Sequence, residues 1–194
     1  PEFKFEMKVA LSAREEMDIV IAAGSVVIET VHVNAGATLT YTIDNNSYAK
    51  DIYLFESEVQ KYHGVHVYAA EGSKDKVFSC FLYSRDGGTG LSSRDASLVM
   101  PTRLLGKEYI VQTYPEDLKS PQLAIVATED NTTVKIVPTF DTYGGKTTAG
   151  STITLTNLSK CEAYLVASKE HESEDFVVDL SGTTICSDKP IAVF

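Results

Sequence analysis

The chain has 194 residues, 43% of them hydrophobic, and 27 acidic against 17 basic side chains give it a net charge of −10. That size and apolar content fit one large or two small packed domains. The acidic balance excludes the clustered Lys and Arg that a phosphate backbone or an anionic membrane surface would need, and no run reaches the roughly 18 apolar residues of a membrane span.

Along the chain, "LSAREEM" (11–17) reads as a capped turn, with Ser12 ahead of Glu15 and Glu16. Strands are expected at "SVVIETVHV" (25–33) and "ATLTYTI" (37–43), which are rich in β-branched residues. "FESEVQKY" (55–62) has the pattern of one or two helical turns, too short to stand alone. Further strands follow at "DKVFSCFLYS" (75–84), "EYIVQTY" (108–114) and "QLAIVAT" (122–128). "TTVKIVP" (132–138) alternates, with Val134 and Ile136 on one face and Thr133 and Lys135 on the other; "STITLT" (151–156) does the same with Ile153 and Leu155. Turn clusters such as "NAGA", "EDNTT" and "YGGK" separate these segments. The expectation is an all-β, antiparallel, sandwich-like fold with few or no helices.

The chain also repeats itself. "GTTICSDKPIAVF" (182–194) follows the plan of "GVHVYAAEGSKDKVFSCF" (64–81), and "TAGSTITL" (148–155) that of "NAGATLTY" (34–41). Gly36 and Gly150 lie 114 apart, Gly64 and Gly182 118 apart, and Phe81 and Phe194 113 apart. The strands before the Gly turns, "SVVIETVHV" and "NTTVKIVPT", are matched in the same way. Two tandem β-units are therefore expected, 1–96 and 97–194, the second cut off at its final strand. Duplication of this kind favours an architectural or binding role.

In order, "GVHVYAAEGSKDKVFSCFLY", "SLVMPTRLLGKEYIV" (97–111), "LAIVATEDNTTVKIVPT" (123–139), "AGSTITL", "CEAYLVAS" (161–168) and "DLSGTTICSDKPIAVF" (179–194) resemble the N-terminal domain family of the IgG-Fc-binding proteins. The resemblance covers about 17–194. Three departures stand out: Met100 for the Leu before Pro101, "EGSKDKV" for Ser-Asp-Lys-Pro in the first copy, and Cys161 for the Gly before Glu-Ala-Tyr. The resemblance implies an extracellular or cell-surface β-module, often joined to other domains of the same chain and found in mucus proteins and bacterial surface proteins. It brings no catalytic residue set, and Fc binding by particular members does not carry over.

Chemistry is sparse. The histidines are His32, His63, His66 and His171; the i,i+3 spacing of His63 and His66 places them on opposite faces of one strand, which is poor for a shared metal. No nucleophile elbow, zinc-protease or P-loop pattern occurs, so no catalytic residue, metal or cofactor is assigned. Cys80, Cys161 and Cys186 allow one disulfide and a thiol, or three thiols. Sequons stand at Asn45, Asn131 and Asn157 in turn-like contexts. "SKEHESEDF" (168–176) collects Glu170, Glu172, Glu174 and Asp175 and reads as a solubilising hairpin loop, with paired-carboxylate chemistry as the rival. "MPTRLLGKEY" reads as a buried turn entering a strand, with Gly106 at the turn and Tyr109 as a core or edge aromatic. The loop "SRDGGTGLSSRDASLVMPT" (84–102), with Ser92 and Ser93, has oxygen ligands without EF-hand spacing. It is the candidate contact surface, with Arg85, Asp86, Arg94 and Asp95 as its binding residues.

The resulting expectation is a non-enzymatic, secreted or surface binding and adhesion module that meets a protein or glycan partner through loops. A structural spacer or assembly domain and a glycan-processing enzyme are the alternatives. The first residues read as neither signal peptide nor anchor, so an export address is expected to have been removed or to lie elsewhere.

Overall fold

The computed structural model describes residues 5–43, 52–54, 56–86, 94–114, 120–170 and 178–194. Strands β1 (Phe5–Ala13), β2 (Met17–Ala23), β3 (Val26–Val33) and β4 (Thr38–Ile43) precede the two-residue β5 (Tyr62–His63). Then come β6 (Val65–Ala69), β7 (Phe78–Asp86), β8 (Arg94–Leu98) and β9 (Glu108–Ile110). The rest are β10 (Gln122–Ala127), β11 (Thr132–Val137), β12 (Ile153–Leu158), β13 (Glu162–Ala167), β14 (Thr184–Ser187) and β15 (Ile191–Val193). They form four antiparallel sheets, so the fold is all-β and sandwich-like.

Two compact units result, one of residues 1–52 and 65–101, the other of 53–64 and 102–194. The first holds sheets ordered β4-β1-β7-β8 and β3-β2-β6; the second holds β15-β10-β13-β5 and β12-β11-β14-β9. In the first unit β1 pairs with β4 and β7 while β2 pairs with β3 and β6. In the second, β10 pairs with β13 and β15 while β11 pairs with β12 and β14. Six strands thus pair in one pattern in both units. The matching differs from the one read in the sequence at two places: "SVVIETVHV" (β3) takes the position of β12 rather than β11, and β4 that of β13 rather than β12.

Alternation builds each core. Val9 and Leu11 of β1 are buried with Ile19 and Ile21 of β2. In the second unit Leu123 and Ile125 of β10 face Val134 and Ile136 of β11, with Leu155, Leu158, Val166 and Ile185 completing the cluster. Burying one such side chain is worth about 1.5–3 kcal/mol, so these rows hold the sheets face to face. The expected faces of 132–138 and 151–156 are observed, Lys135 and Thr154 being exposed beside buried neighbours.

"LSAREEM" is not a capped turn. Leu11–Ala13 close β1, residues 14–16 turn, and Met17 opens β2. The run Met7-Val9-Leu11-Ala13 alternates with polar or small residues, and that period outweighs the local capping signal. Residues 56–61 form bends and turns; Phe55 lies outside the described residues.

Segment 53–64 is stitched to the second unit by polar contacts. Ser57 Oγ accepts the Ala167 N–H at 2.9 Å, Glu58 N–H donates to Leu165 O at 2.8 Å, and Lys146 Nζ donates to Ser57 O at 2.6 Å. Glu58 takes both the Thr142 hydroxyl and, at 2.8 Å, the Thr147 hydroxyl. Gly64 ends the segment, donating its N–H to Cys161 O at 2.7 Å. A Cβ there would sit 2.6 Å from Val126 Cγ1, so only glycine fits so close an approach. Gly64→Ala is expected to cost about 1–3 kcal/mol in urea unfolding, and adding Val126→Ala should cost less than it does alone. An alanine chain as stable as the parent would contradict this contact.

Candidate functional site

The stretch 84–102 is less of a loop than its composition indicates. β7 runs the full length of β1, from Phe78 opposite Ala13 to Asp86 opposite Phe5, because β1 offers it a nine-residue edge. β8 then pairs back on β7, Phe81 opposite Leu98 and Arg85 opposite Arg94. Ser84–Asp86 and Arg94–Leu98 are therefore strand; residues 87–93, including Ser92 and Ser93, lie outside the described residues. The four expected binding residues gather at one end of this ribbon. Arg85, Asp86 and Arg94 are described through their backbone, and Asp95 is exposed opposite Ser84.

The alternation of β7 gives the ribbon two faces. Cys80, opposite Leu11, is buried against the core. Phe81 and its cross-strand partner Leu98 lie on the other face, 50% and 51% exposed. Across the sheet the same row continues through the small Ala10 to Thr40, and the next through Lys8 to Thr42 with Tyr83 and Ala96 on the ribbon side. The outcome is a sheet face that mixes Phe81, Tyr83 and Leu98 with Lys8 and the threonines of β4, with Arg85, Asp86, Arg94 and Asp95 at the end of the ribbon's register.

Other sequence candidates fall elsewhere. His63 and His66 do not share a strand, since the chain breaks at Gly64 between β5 and β6. His66 stacks on Tyr68 with ring centroids 4.7 Å apart, and His32 Nδ1 lies 2.8 Å from Asp18 Oδ1 on the surface. Lys169 and Glu170 are exposed; residues 171–177, with His171, Glu172, Glu174 and Asp175, lie outside the described residues, as does Asn45. Asn157 sits in β12 rather than a turn. Among the described residues no three His, Cys, Asp or Glu side chains are grouped to hold a metal.

"MPTRLLGKEY" is a surface turn, with Pro101 and Gly106 exposed and Leu104 60% exposed. Gly106 keeps a negative φ and a Cβ there would meet only ordinary contacts, so the glycine is not required by its conformation. Tyr109 holds the turn instead: its hydroxyl donates to Ile191 O at 2.6 Å and accepts the Gly106 N–H at 2.8 Å. Beyond it, Ile110, Thr113, Tyr114, Gln122, Val193 and Phe194 line an open groove of about 480 Å³ in the second unit. Its Thr113 wall is fixed by Asp179, whose carboxylate accepts the Thr113 hydroxyl at 2.7 Å and the Ser181 N–H at 2.8 Å. The Ser181 and Thr113 bonds hold the Asp179 carboxyl below its usual range. Periodicity could not reveal this groove, because its walls come from three separate segments.

All three cysteines are free thiols: Cys80 and Cys161 buried, Cys186 exposed. Burial pushes the Cys80 thiol up to about 11 and raises Cys161 as well.

The architecture is that of a two-unit antiparallel β-module presenting sheet and hairpin surface. Residues 95–194 match the family model described as IgGFc binding protein, and the chain belongs to that family. No curated protein and no solved structure matches it.

The native fold should expose one thiol to Ellman's reagent, Cys186, and all three in urea. Because the Cys80 pKa is raised on folding, its contribution to stability is intact below the ordinary value of 9.0 and is lost as pH climbs through about 11. Urea midpoints from pH 8 to 11 should fall over that range, and less steeply in Cys80→Ala; equal slopes would refute the assignment.

Proposed function

We propose that the chain is a non-enzymatic binding module of a secreted or cell-surface protein, in an adhesive or mucus-like setting, meeting a protein or glycan partner. The contact is the β7–β8 ribbon with Arg85, Asp86, Arg94 and Asp95 at its end. The observation that carries this reading is the Phe81–Leu98 pair, left half exposed on a sheet face whose β4 edge is a row of threonines, Thr38, Thr40 and Thr42. Exposed apolar area of this kind, rimmed by polar groups, marks interaction sites, and aromatic and Arg side chains are the residues interfaces favour. Family membership supports binding over catalysis, and extracellular placement over any other.

The test is capture from mucus, serum and surface extracts by three chains: the parent, one with residues 86–95 replaced by a Gly-Ser linker, and Phe81→Thr/Leu98→Thr. A defined protein or glycoprotein retained by the parent and lost at least tenfold from both variants is expected, with circular dichroism showing all three folded. Equal capture by all three would remove the ribbon from consideration.

A further inference from the structure

We propose that Asn157 is an N-glycosylation site whose glycan guards the outer edge of β12. Asn157-Leu158-Ser159 is an acceptor sequon. Its structural setting suits modification. The β11–β12 register pairs Thr132 with Leu158 and Val134 with Leu155, so Thr156 and Asn157 together face Thr133 alone. This is a β-bulge, and Asn157 occupies it at φ 58°. Leu155 and Leu158 on either side stay in the core, while Asn157 and Ser159 are exposed. A sugar on Asn157 is thus accommodated without moving the strand that carries it.

What the glycan would do follows from the sheet order. β12 is the outermost strand of β12-β11-β14-β9, and no described strand pairs with its outer edge. Its sequence, "ITLTNL", has no charge and no proline. Uncharged β-branched edges recruit further strands, and proteins normally blunt them with charge, proline or a bulge. The corresponding edge of the first unit shows the contrast. β3 also has a bulge, between the pairs Ile21–Glu29 and Ala22–Val27, and places an exposed carboxylate, Glu29, beside it. At the equivalent place the β12 bulge carries an uncharged asparagine instead of a carboxylate, and a bulky hydrated glycan would supply the missing barrier. Asn131 is also an exposed sequon asparagine, at φ 56°, but it lies in the turn between β10 and β11, away from any edge. It serves as the control.

The inference rests on the secreted reading for its biological setting, and the experiment separates the two. The chain is sent through the secretory route of cultured animal cells by an added leader, and its glycopeptides are identified by mass before and after treatment with peptide-N-glycosidase. Asn157 should be occupied and Asn157→Gln should lose that mass. An unmodified Asn157 would overturn the site without touching the secreted reading, which instead fails if the native protein is found inside cells. Light scattering then compares the glycosylated chain, the same chain made without glycan in a bacterial cytosol, Asn157→Gln and Asn131→Gln. The unglycosylated chain and Asn157→Gln should each associate several-fold faster, Asn131→Gln should not, and Thr154→Glu, opposite Lys135, should slow association again in the unglycosylated chain. If unglycosylated and glycosylated chains associate at one rate, the guarding role is wrong.

Discussion

Each unit turns on one hydrogen bond at the corner where the chain leaves one sheet and begins the other. In the first, Gly36 N–H donates to Ala13 O at 2.9 Å; in the second, Cys161 N–H donates to Ala127 O at 2.8 Å. Ala13 and Ala127 end β1 and β10, so these bonds anchor the incoming β4 and β13 at the point where the two sheets diverge. Both donors take a left-handed backbone, φ 72° and 65°. Glycine does so freely, whereas a residue with a Cβ pays about 1–2 kcal/mol. Cys161 carries that cost while burying its thiol.

Much of this was legible in the chain. Alternation in 132–138 and 151–156 assigned the correct inward residues, and the all-β class followed from β-branched runs between turn residues. The two closing segments, 64–81 and 182–194, contain β6–β7 and β14–β15, which pair with β2 and β1 in one unit and with β11 and β10 in the other. What misled was local chemistry read ahead of period. Ser12 with Glu15 and Glu16 looks like a cap, yet Met7, Val9 and Leu11 were already counting in twos. The strand match at β3 and β11 failed for a related reason: alternating strands look alike, and only pairing shows which strand each one joins. The substitution of Cys161 for glycine was visible, but its meaning needed φ.

What the structure adds to the candidate surface is its form. The stretch bearing Arg85, Asp86, Arg94 and Asp95 was found from its Gly-rich, charged composition. That its described ends, Ser84–Asp86 and Arg94–Leu98, are strand was hidden, because glycine and aspartate argue for loops whatever the edge beside them offers. Phe81 and Leu98 were read only as part of strand patterns. Phe81 stands beside Ala10 across the sheet, a neighbour some seventy positions away in sequence, and no window of sequence contains both. The groove near Tyr114 and the polar knot of Thr113, Asp179 and Ser181 depend on the same kind of long-range closure.

The placement of 53–64 in the second unit has a consequence for how the protein is made. Tyr62, 1% exposed in the finished fold, pairs with Ala163, which the ribosome adds about a hundred residues later. At ordinary synthesis rates that is a wait of roughly 5–20 s. During it the first unit can close around residues 1–52 and 65–101, extruding a twelve-residue arm that has nothing yet to hold. The nascent chain must therefore carry a sticky tyrosine on a tether, and the last assembly step is the capture of an early segment by a late one. A factor that shields such arms would act on this protein before its second half exists.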